Sequence, residues 1–152
     1  MKKIGLLLTA IALYSCTNED SDAPLPNPPV VNELENRLKD GSWNITQFID
    51  SGKDETADFN GFAFIFNNDG TVSARANAQE FKGTWSITNS NSNDDSNNLS
   101  DLDFNLQFNL TNQLEELTDD WDILSQTATE VKLQSISGGN GGTDLLTFAK
   151  NG

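Results

Sequence analysis

Carboxylates are the one reactive group this chain has in quantity. It holds 23 Asp and Glu against 9 Lys and Arg, with no His and single copies of Cys, Tyr and Met. Met1, Tyr14 and Cys16 all lie at the front, so from residue 17 onward there is no imidazole, thiol, phenol or thioether. That removes the commonest general base, the commonest zinc ligands and the cysteine nucleophile. The acids gather at Asp94-Asp95 and at Asp119-Asp120-Asp122. Paired carboxylates are what glycoside hydrolysis uses, and clustered oxygens suit calcium. Neither run has the spaced Asp/Asn and Gly of a calcium-binding loop. In a chain this acidic, a solvated surface accounts for both. The residues therefore predict a non-enzymatic chain with no cofactor and no metal site.

Charge narrows the partners. The formal net charge is −14, and loss of Lys2 and Lys3 with a cleaved leader makes it two units more negative. The remaining cations are scattered from Arg37 to Lys150 without a cluster. Such a surface repels nucleic acid and anionic headgroups, so nucleic-acid binding is excluded. No protein partner is named by any motif.

The front of the chain is a leader. Met1-Lys2-Lys3 is basic and Ile4 to Leu13 is apolar, too short a run to span a bilayer but suited to the core of a secretion signal. Leu13-Tyr14-Ser15-Cys16 resembles the cleavage box of a bacterial lipoprotein, with an aliphatic residue at −3, a small one at −1 and cysteine at +1. That resemblance implies a signal peptide over residues 1–15 and a lipidated Cys16 as the first mature residue. The chain would then be tethered to the membrane and not span it, since each buried methylene contributes about 0.8 kcal/mol and two or more acyl chains hold stably. Residues 16–30 form the tether: acids at Glu19, Asp20 and Asp22, then all 4 prolines, at Pro24, Pro26, Pro28 and Pro29. Proline-rich chain of this kind is extended and stiff. The acidic start resembles a signal that sends lipoproteins to the outer face of some Gram-negative cells. The expected address is the cell envelope, as an outer-membrane lipoprotein with surface display.

The elements that follow occupy residues 31–152. Val31, Leu34 and Leu38 recur at helical spacing, Asn32 and Glu35 read as a capping box, and Gly41 sits where a C-cap glycine belongs, so a short amphipathic helix is expected over Val31–Lys39. Its apolar face reads as a cover on the core. Strands are expected at Trp43–Ile49, Phe62–Phe66, Thr71–Ala76, Phe81–Ile87, Asp101–Leu110, Trp121–Ser125, Glu130–Ile136 and Leu145–Lys150. Phe62, Phe64 and Phe66 share a face, because alternate strand residues point the same way. Asn67 to Gly70 closes a hairpin. Asn89 to Ser100 is nearly all Asn, Ser and Asp and reads as a mobile loop. Ser137 to Gly142 is a glycine-rich turn that lacks the features of a phosphate loop. Eight strands with short links and no crossover helix predict an antiparallel up-and-down sheet that closes into a barrel and so removes its exposed edges, with a two-sheet sandwich as the alternative.

Gly41-Ser42-Trp43 at the opening of the first strand resembles the lipocalin signature. Asp69-Gly70-Thr71, Gly83-Thr84-Trp85 and the closing Leu145 to Lys150 are similar to lipocalin-like domains of bacterial lipoproteins. The resemblance implies an eight-stranded barrel, with Trp43 at its closed end and Lys150 as the candidate basic partner. It also implies a small hydrophobic ligand held among Trp43, Phe62, Phe64, Phe66, Trp85, Phe104, Phe108 and Trp121. The residues themselves leave a second reading open, in which those aromatics fill the core and only the exterior interacts.

Overall fold

The computed structural model describes residues 29–89, 99–136 and 142–152. The leader, Cys16, most of the tether, the Asn/Ser/Asp run with Asp94-Asp95, and most of the glycine-rich turn lie outside the described residues. A helix, α1 (Pro29–Lys39), leads into the strands β1 (Trp43–Asp50), β2 (Lys53–Asp54), β3 (Ala63–Phe66), β4 (Thr71–Ala76) and β5 (Gln79–Asn89). They continue as β6 (Leu102–Gln107), β7 (Asp119–Gln126), β8 (Glu130–Ile136) and β9 (Thr143–Lys150). Every pairing is antiparallel, and neighbours follow chain order from β3 to β9. β1 closes the ring by pairing with β9 from Trp43↔Lys150 to Ile49↔Leu145 and with β3 at Trp43↔Phe64. The result is a closed barrel of eight strands, with two-residue β2 folded back on the end of β1. Closure decides for the barrel and against the sandwich.

The helix begins two residues earlier than expected. Proline is favoured in the first helical turn because its missing N–H has no partner there anyway. Asn32 therefore lies inside α1 and is not its cap. Glu33 pairs with Arg37, and Glu35 with Lys39 at 2.9 Å, each one turn apart. Gly41, at φ +93°, ends the helix in the left-handed region that glycine adopts without strain.

Two bulges re-aim the strands. Register shifts between Ile45 and Gln47, so Trp43, Ile45 and Phe48 face inward while Thr46 and Gln47 are exposed. A second shift between Ile123 and Ser125 sets Ser125 opposite exposed Lys132, on the same outer side as Leu124, which is 49% exposed. β6 is shorter than its alternation, which continues through buried Phe108 after pairing ends at Gln107. Thr118 replaces the ladder there: its Oγ accepts from the Phe108 N–H at 2.9 Å and donates to the Phe108 carbonyl at 3.2 Å. Phe108 also explains Gly83. A Cβ at Gly83 would collide with the Gln107 carbonyl and stand 2.7 Å from the Phe108 ring.

Both mouths are covered. Alternating strand direction puts the start of β1, the β3–β4 hairpin and the end of β9 at one end, where α1 inserts Val31, Leu34 and Leu38, all buried. Arg37 of α1 reaches Gln126 at the end of β7. At the other end, 3-10 turns at Thr56–Phe59 and Gln113–Leu117 insert Phe59, Leu114 and Leu117. Each fully buried side chain of this size contributes about 1.5–3 kcal/mol by leaving water.

Candidate functional site

Among the described residues, the barrel interior and a hollow on its outer wall are the main candidates to act. The eight candidate aromatics are all buried. They meet each other directly. The Phe66 ring of β3 lies 5.3 Å from Trp85 of β5, 5.7 Å from Phe104 of β6 and 5.6 Å from Phe148 of β9. These strands come from different sides of the ring, so at this level the rings span the interior. The contacts are edge-to-face, the favoured geometry for aromatic pairs. Phe64 meets Phe148 at 5.3 Å, and toward the far mouth Phe48 meets Phe59 at 5.1 Å and Trp121 at 6.4 Å.

Phe48, Phe59 and Phe148 belong to this core although the sequence did not single them out. Phe148 alternates with Leu146 in β9, a signal that was available. Phe48 points inward only because of the bulge, and Phe59 sits in a polar connection with no periodicity.

Each tryptophan does a second job. The Trp43 indole N–H donates to the Leu38 carbonyl at 2.9 Å, Trp121 to Leu117 at 3.1 Å and Trp85 to Asn67 at 3.2 Å. Leu38 and Leu117 sit at the ends of the two plugs, where carbonyls lack partners within the helix. The tryptophans thus pin the end covers and the β3–β4 hairpin to the wall. Lys150 stands opposite Trp43 in the ladder, but its ammonium pairs with Asp40 at 2.7 Å. The cation over an indole is Lys39, 5.7 Å from the Trp85 ring centroid.

Outside, β5, β6 and β7 set polar side chains in rows. Thr84 pairs with Gln107, Ser86 with Asn105, and Thr88 with Asp103; across the next ladder Asn105 pairs with Asp120 and Asp103 with Asp122. An open hollow of about 550 Å³ lies over this wall, lined by Thr84, Ser86, Thr88, Asn105, Gln107 and Asp120 among others. Asn105 donates to the Thr88 hydroxyl at 2.9 Å. A smaller hollow of about 160 Å³, with Glu35, Lys39 and Asn68, adjoins it at Trp85 and Ser86.

Asp120 and Asp122 thus lie on the outer wall with Asp103, whereas Asp119 pairs with buried Leu106 and shares the row of Trp121 at the start of β7. Partial burial, and then the facing carboxylates of Asp120 and Asp122, push the Asp103 carboxyl above its ordinary range. At the plugged mouth, burial and the charges of Glu55, Asp58 and Asp50 push Glu116 up, with Lys53 opposing. Among the described residues no group of three or more His, Cys, Asp or Glu is placed to hold a metal ion. Nor is any described helix long and apolar enough to cross a membrane.

No family model matches the chain, and no curated protein matches it. Among solved structures, the chain is similar to a DUF4847 family protein from Bacteroides vulgatus, at 16% identity over 78% of this chain and 97% of that one, with a TM-score of 0.49. A protein from Burkholderia xenovorans is 17% identical over 89% of this chain and 97% of its own, with a TM-score of 0.40.

Proposed function

We propose that the chain is a lipid-anchored lipoprotein of the cell envelope whose barrel is a filled scaffold, interacting non-enzymatically through its exterior. One observation carries this choice over an internal apolar ligand: the Phe66, Phe104, Phe148 and Trp85 rings meet across the interior. A carrier of drug-sized apolar molecules needs a concave site of roughly 300 Å³ or more. The covers at both mouths support the same reading. The anchor rests on Cys16 and its flanking residues, and the acidic tether supports display at the outer membrane.

Titration with Nile red, an uncharged apolar dye, tests the filled interior. The folded chain should show no saturable uptake. Saturable binding at one site per chain, displaced by a fatty acid, would restore the ligand-carrier reading. Metabolic labelling with palmitate should mark the wild-type chain and fail with Cys16→Ser.

A further inference from the structure

The outer wall of β5, β6 and β7 carries chemistry that the interior does not use. Its hollow is lined by hydroxyls at Thr84, Ser86 and Thr88, amides at Asn105 and Gln107, and a carboxylate at Asp120. Trp85 and Leu106 lie beneath, both buried. The wall is formed by three strands that are each paired on both edges.

Those facts eliminate most occupants. Apolar molecules find little to hold in the hollow, whose apolar side chains, Trp85 and Leu106, are buried, while the exposed Leu124 of β7 is not among its lining residues. Anions meet carboxylates and no lining cation. A divalent ion would need several oxygens converging within about 2.6 Å of it, and no such acidic group is placed for one among the described residues. An extended peptide docks on a free strand edge or anchors apolar side chains in pockets; this wall has neither. What remains is a ligand that both donates and accepts hydrogen bonds at several points without net charge. Vicinal hydroxyls do this: one pair can donate to a carboxylate while their oxygens accept from amide N–H groups.

We infer that the outer hollow across β5, β6 and β7 binds a neutral polyhydroxylated ligand, a sugar ring or short glycan, through Ser86, Asn105, Gln107 and Asp120. The inference rests on the reading of the barrel as a scaffold that acts through its exterior. Lacking an exposed aromatic face to stack on a ring, the site binds weakly, and selectivity comes from the spacing of the rows. Ser86 and Asn105 are the central pair of the wall, and Gln107 and Asp120 flank them.

Saturation-transfer NMR on the detergent-solubilised full chain, with maltotetraose, cellotetraose, xylotetraose and mannotetraose as probes, tests this. At least one probe should receive saturation and titrate to a plateau. Ser86→Ala and Asn105→Ala should each weaken that probe about fivefold, the loss of one hydrogen bond. Gln107→Ala, at an exposed position, provides a second variant if either of the others misfolds. No transfer to any of the four, transfer unchanged in the variants, or binding at this wall of a heptalysine peptide in place of any saccharide would each overturn the proposal. None of those outcomes bears on the filled interior, which the dye titration reads separately.

Discussion

Phe66 touches three rings contributed by three other strands, and so it is the residue on which the filled interior turns. Its truncation leaves a void that rigid neighbours cannot close. Phe66→Ala should cost about 3–5 kcal/mol in urea unfolding; a loss below about 1 kcal/mol would mean that the rings can collapse and are not tightly packed. Asp103 makes a different prediction. Its folded-state carboxyl is held above its ordinary value of 3.8, so the native state binds that proton more tightly than the unfolded chain. Its ionisation therefore destabilises the fold as pH rises through the raised value, and the penalty is absent well below 3.8. Asp103→Asn should raise the melting temperature at pH 7, with the gain shrinking toward zero as pH falls through this window. An equal gain at all pH values would assign the effect to something other than charge. The buried alternation at Leu102, Phe104, Leu106 and Phe108 was plain in the sequence. The facing of Asp103 and Asp122 was not, because cross-strand register depends on where each strand starts.

At the scale of elements, hydrophobic period located the strands and helix well, and their edges were set by chemistry that period does not record. Pro29 starts α1, Thr118 substitutes for the ladder beyond Gln107, and bulges at Thr46 and Leu124 reverse which residues face in. Ser51 and Gly52, both at positive φ, turn β1 back into the two-residue β2, a hairpin too short to show as alternation. The helix was expected as a cover, and its packing makes it one. Leu34 is fully buried at the mouth that α1 closes. Leu34→Ala should cost about 2–5 kcal/mol, whereas Val30→Ala, at a half-buried position, should cost under about 1 kcal/mol. Equal small effects in thermal or urea melts would mean that α1 rests on the barrel without plugging it.

At the scale of the whole molecule, eight strands, a mostly local up-and-down order and closure into a barrel were all expected from the sequence, although periodicity alone did not separate the barrel from a sandwich. Barrel and sandwich share the same alternation; only the pairing of the first strand with the last separates them, and β1 with β9 supplies it. Closure gathers aromatics from the whole chain onto one axis, and this is why the interior, full of candidate ligand contacts in sequence, reads in three dimensions as a core. It also leaves the polar outer wall of β5, β6 and β7 facing solvent. The most direct test of the filled barrel is native mass spectrometry of the mature chain carrying Cys16→Ser, exported behind a cleavable leader and purified from its own cells without detergent. The mass of the bare polypeptide should be the dominant species. A stoichiometric adduct that organic solvent extracts and denaturation releases would contradict it, by placing a molecule where the rings of Phe66, Phe104 and Phe148 now meet.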